Sequence, residues 1–170
     1  MLARNGYINC AANSMRGVGH STDYFVMPFL REMGVTAVRC SFADLPSSEE
    51  LDGASVVFVR YLPAAWRALV ARCRARIAAV YFFMDDDLFD RRAFAAMSLR
   101  YQWKLVRYSW SRQRWLKSVD AQLLVSTPYL QQKYADWKPQ VLPARPLQPI
   151  EASPVQTVFY HGSAISPAAS

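Results

Sequence analysis

Three aspartates in a row, Asp85, Asp86 and Asp87, follow the apolar run Ala79-Val80-Tyr81-Phe82-Phe83-Met84. Adjacent like charges repel, and apolar surroundings make each one harder to ionise. Something must reward the arrangement: a bound cation, the hydroxyls of a sugar, a helix start, or plain solvent. On extended backbone, residues i and i+2 share a side, so Asp85 and Asp87 would converge while Asp86 turns away. Oxygen ligands set that way suit Mg²⁺ or Mn²⁺. A carboxylate facing hydroxyls can accept their hydrogen bonds or serve as general base. At the start of a helix, negative charge is favoured by the helix dipole.

A second group of polar residues lies in the Gly-containing loop Arg16-Gly17-Val18-Gly19-His20-Ser21. His20 reads either as a surface-loop histidine or as a ligand contact, and Ser21 and Thr22 are suited to cap a following helix. Ser126 and Thr127 could hydrogen-bond a sugar or cap the helix beginning near Tyr129. His161 and Gly162 follow an apolar run near the C-terminus.

The elements that must position these groups are legible from periodicity. Strands are expected over Tyr7–Ala12, "VTAVRCS", "SVVFVRY", Ala79–Met84, "AQLLVST" and "PQVLPA". Helices are expected over Asp23–Met33, ending at Gly34, then over "AAWRALVARCRARI", and from Pro128. Continuous apolar strands between amphipathic helices predict an α/β fold, a Rossmann-like parallel sheet with helices on both faces. In such sheets ligands bind at the carboxyl ends of the strands. The Gly-containing loop, the aspartates and Ser126-Thr127 all fall at such ends, so they are expected to edge one cleft.

Phe89 to about Val119 reads as a long helical segment, broken once. Phe94, Met97, Tyr101, Leu105 and Tyr108 form one stripe, and Leu99, Trp103, Val106 and Trp110 a second, nearly opposite. Arg100, Lys104, Arg107 and Arg114 lie between them. One reading is a helix packed on both sides with a solvated basic edge. The sharper one is an edge that touches phosphate or an anionic membrane surface. No nucleic-acid-binding motif accompanies these residues, so nucleic acid is not an expected partner.

The chain has 170 residues, 52% of them hydrophobic, which suits an ordinary folded domain. Its net charge of +7 favours anionic partners. The longest apolar run is too short to span a bilayer, and the first residues lack a secretory pattern. Cys10, Cys40 and Cys73, odd in number and widely spaced, read as reduced thiols with no metal-ligand pattern. The expected location is cytoplasmic, with peripheral membrane contact. Five of the ten prolines lie between Pro139 and Pro154, the composition of an extended linker. Residues 1–138 are therefore expected to form one domain and 139–156 a linker. "TVFYHGS", within 157–170, would be the first strand of a further domain.

The order "SVVFVRY", "AAVYFFMDDDLF", "VDAQLLVSTPYLQQKY", "QVLPA", Pro-rich link and "TVFYHGSA" resembles a bacterial GT-B glycosyltransferase of the group-1 family. The likeness runs from about Gly17 to Ser163. Ala144 and Arg145 stand after "VLP", where that family commonly has Asn. The resemblance implies the N-terminal, acceptor-side half of a GT-B fold. It also implies transfer of a sugar from a nucleotide-sugar donor to a sugar or glycolipid acceptor, without a metal or other cofactor. Asp85 and Asp86 would then be the catalytic carboxylates. Gly19, His20, Ser21, Asp87, Ser126 and Thr127 would contact acceptor, and His161 and Gly162 would open the donor site. A GT-A enzyme would instead use the D-x-D pattern for a divalent cation, but the linker and "LLVSTPYL" fit GT-B. The reading from another class is a non-catalytic Rossmann-like module that binds a protein or phospho-ligand.

Overall fold

The computed structural model describes residues 21–145, together with the backbone of residues 7–11. Gly19, His20, His161, Gly162 and the expected strand beyond Thr157 lie outside the described residues.

Six parallel strands are described: β1 (Tyr7–Ala11), β2 (Ala37–Ser41), β3 (Ser55–Val59), β4 (Ala79–Met84), β5 (Gln122–Val125) and β6 (Gln140–Val141). They form one sheet in the order β2-β1-β3-β4-β5-β6. β1 pairs with both β2 and β3, Ile8 opposite Val38 and Val56. Between β1 and β3 the direction of strand addition therefore reverses. The sheet extends past residue 138, where the linker was expected to begin. Leu142 is buried and its amide donates to the Val125 carbonyl at 2.7 Å.

Alternation along the apolar strands builds two cores. Val56 and Phe58 of β3, Val80, Phe82 and Met84 of β4, and Leu123 and Val125 of β5 face one side. Helices α2 (Ala64–Cys73), α3 (Leu99–Tyr108), α4 (Gln113–Ser118) and α5 (Pro128–Lys133) cover that side, contributing Trp66, Leu69, Leu105, Leu116 and Leu130. Trp66 is fully buried, edge-on to Phe58 at 5.8 Å, and its indole N–H donates to the Phe42 carbonyl at 3.1 Å. On the other face, Val57, Val59, Phe83, Leu124 and Leu142 pack against Val26 and Leu30. Those two residues come from the π-helical stretch Thr22–Val26 and from α1 (Met27–Glu32), which continues it. Among the described residues no helix is long and apolar enough to cross a membrane.

Gly34 ends α1 in the left-handed region, φ 67°, as expected at a helix C-terminus. Its amide donates to the Arg31 carbonyl and that of Val35 to the Leu30 carbonyl. The expected cap at the other end is absent: Ser21 is itself in helical geometry and caps no amide. Residues 89–98 are turns, not helix. Asp87 accepts from the Asp90 amide and Asp90 from the Arg92 amide, so these side chains compete for the N–H groups a helix would use. α3 begins only at Leu99 and breaks at Ser109. Its first stripe packs inward through the buried Leu105, whereas Leu99, Trp103 and Trp110 of the second are exposed. Packing on both sides is thus not what forms.

Candidate functional site

The reversal between β1 and β3 marks where a parallel sheet opens at its carboxyl end. Arg60, just past β3, stands at φ 64°, a left-handed conformation uncommon for a residue with a side chain. Surrounding bonds hold it there. Its amide donates to the Phe83 carbonyl at 2.8 Å, and its carbonyl accepts from the Ser109 hydroxyl at 2.5 Å. Strain of this kind costs about 1–3 kcal/mol and persists only where neighbours over-determine it.

That backbone geometry accompanies an Arg60 guanidinium set among the aspartates. One nitrogen, Nη1, pairs with Asp85 Oδ1 and, at 2.8 Å, with Asp86 Oδ2. The other, Nη2, donates to the Tyr101 hydroxyl at 3.0 Å. Burial of the guanidinium would lower its pKa, but the charges of Asp85 and Asp86 outweigh this and raise it above the ordinary arginine value. Arg60 is thus a fixed cation beside two carboxylates. Burial, then a hydrogen bond with Tyr61, raises the Tyr101 pKa, keeping that hydroxyl neutral. Lys104 lies 4.4 Å over the Tyr61 ring, a cation–π contact on the same rim.

Ser21 Oγ donates to Asp85 Oδ2 at 2.5 Å, bringing the start of the first helical element to the end of β4. Ser126 Oγ donates to the Asp85 carbonyl at 2.7 Å, joining the ends of β4 and β5. Ser21, Arg60, Asp85, Asp86, Tyr101 and Ser126 therefore form one connected cluster. Thr127, next to it in sequence, caps α5 by accepting from the Leu130 amide at 3.3 Å.

Asp85 and Asp87 do not converge. The strand ends at Met84, and the backbone turns before alternation can align them. Asp87 accepts from the Tyr134 hydroxyl at 2.5 Å and from Lys133 Nζ at 2.6 Å, and its side chain is only 10% exposed. Hydrogen bonds from Lys133, first to Asp87 and then to Asp90, raise the lysine's pKa. Asp87 thus ties the post-β4 turn to α5 and does not face Asp85 and Asp86 across a shared cation position. Asp86 has the most open of the three carboxylates, its side chain 60% exposed.

The chemistry open to the cluster is acceptance of hydroxyl hydrogen bonds and protons by Asp86, beside a cation. Arg60 and Tyr101 were not singled out from sequence. Arg60 had a visible signal, an arginine directly after the apolar run Val56–Val59. Tyr101 had none beyond its place on the inward stripe. No protein-family model, curated protein or solved structure matches this chain.

Proposed function

We propose that the chain forms the acceptor side of a GT-B glycosyltransferase that moves a sugar from a nucleotide-sugar donor to an acceptor hydroxyl. The observation that carries this reading is the outward Asp86 carboxylate beside Arg60 and Asp85, where Arg60 follows β3 at the topological reversal and the two acids follow β4, the next strand of the sheet. Asp86 accepts the acceptor hydroxyl's hydrogen bond and takes its proton. The hydroxyl oxygen bonds to the anomeric carbon as the bond from that carbon to the nucleotide diphosphate breaks. Asp85, held by Arg60 and Ser21, is a positioning residue. The sequence resemblance supports the same reading.

Nucleoside diphosphate release from a panel of nucleotide sugars, with and without glycan acceptors, tests it. Acceptor-dependent release should fall about 10²–10⁴-fold in Asp86→Asn, the usual contribution of a positioned base. Release indifferent to Asp86 would end the proposal.

A non-catalytic module for a phospho-ligand or protein is the second reading, favoured by Arg60's existing pairing with both carboxylates. Calorimetric binding of inorganic phosphate or of a protein partner, without any sugar transfer, would establish it instead.

A further inference from the structure

We infer that the outward face of α3 is a docking surface for an anionic lipid bilayer. Leu99 and Trp103, four residues apart on one line of the helix, are 82% and 64% exposed, and Trp110 lies just beyond. Side chains this large and apolar, grouped and unburied, mark an interaction site. Arg100, Lys104 and Arg107 run beside them on the next line of the helix. A shallow concavity of about 580 Å³ borders Arg100, Trp103, Lys104 and Arg107.

Charge selects the occupant. Residues 91–119 hold eight of the chain's twenty Lys and Arg and none of its thirteen Asp and Glu. The other twelve cations and thirteen carboxylates leave the remainder at −1, so this segment accounts for the whole positive balance. A protein-binding core is depleted of charge, whereas a narrow Leu/Trp strip edged by cations suits a bilayer interface. There Trp sits at headgroup level and Lys and Arg reach the phosphates. Tyr101 and Lys104 contact Tyr61 at the rim of the Arg60 cluster, so docking through α3 brings that cluster close to the headgroups. The inference stands on the exposed face and its charge, independently of sugar transfer.

Co-sedimentation of the full chain with vesicles tests it. Binding is expected to vesicles of phosphatidylcholine with phosphatidylglycerol, to weaken with salt, and to be slight with phosphatidylcholine alone. Each of Arg100→Gln and Arg107→Gln should weaken partitioning about fivefold, the contribution of one cation near an anionic surface. Trp103→Ala should weaken it too, and brominated lipid should quench wild-type tryptophan emission more than that of Trp103→Phe. These side chains are solvent-exposed, so unchanged thermal unfolding verifies the fold of each variant. The salt and lipid dependence of the wild type provides a measure that needs no variant. Equal binding to both vesicle types, indifference to Arg100 and Arg107, or concentration-dependent self-association removed by Trp103→Ala would each overturn the inference.

Discussion

The Ser109 hydroxyl donates to the Arg60 carbonyl at 2.5 Å, so the break after α3 fixes the residue that pairs with Asp85 and Asp86. Ser109 is fully buried. In Ser109→Ala the carbonyl loses that partner, and unfolding free energy should fall by about 1–3 kcal/mol. Urea denaturation measures this. Unchanged stability would mean that the carbonyl is satisfied by another donor.

Asp85 and Asp86 share Arg60 but should differ in what their removal costs. The Arg60–Asp85 pair is nearly buried, each side chain 18% exposed, so Asp85→Asn should destabilise by about 2–3 kcal/mol, below the full cost for a completely buried pair. Asp86→Asn, at an exposed position, should change stability by less than about 1 kcal/mol. Equal losses by chemical denaturation would place both residues in one structural network and remove the distinction between a positioning and a ligand-facing carboxylate.

Tyr134 gives a pH signature. Burial, then its hydrogen bond to Asp87 and that residue's charge, raise the phenol's pKa above the ordinary value near 10. The stabilisation is complete below that value. It is lost as pH rises toward the folded pKa, because the unfolded chain releases the proton first. Above about pH 10, stability should therefore fall more steeply in wild type than in Tyr134→Phe. Phenolate absorbance should likewise show one late-titrating tyrosine missing from the variant. Identical slopes would refute the Tyr134–Asp87 bond.

Gly34 provides a backbone test. A Cβ built there would meet nothing within 4 Å, so only the left-handed φ opposes a side chain. Gly34→Ala should cost about 1–2 kcal/mol, and Gly34→Asn less, since Asn tolerates this region. Thermal melts of the two variants would show the order, and an Ala variant as stable as wild type would contradict it.

Much of the sheet was legible because Val56–Val59, Ala79–Met84 and Leu123–Val125 are apolar on both faces, which is the mark of buried parallel strands. The position of Asp85 and Asp86 at the carboxyl end of β4 followed, since the acids end one such strand. Residues 89–98 misled because Phe94 and Met97 continue the helical period of Tyr101 and Leu105, while Asp87 and Asp90 take the local amides. The aspartates misled for a related reason. Alternation holds only on extended backbone, and the turn after Met84 sends Asp87 to Lys133 and Tyr134. The site's left-handed Arg60 reflects contacts from β4 and Ser109, which no local pattern near residue 60 encodes.

The central claim is that the strand ends around Arg60 receive a hydroxyl-bearing acceptor. Amide chemical-shift mapping of the full chain against a panel of free saccharides and glycosides addresses it. Saturable shifts should cluster at Ser21, Arg60, Asp85, Asp86 and Ser126 and disappear in Asp86→Asn. Saccharide-induced shifts confined to other surfaces, or unchanged by that substitution, would contradict it.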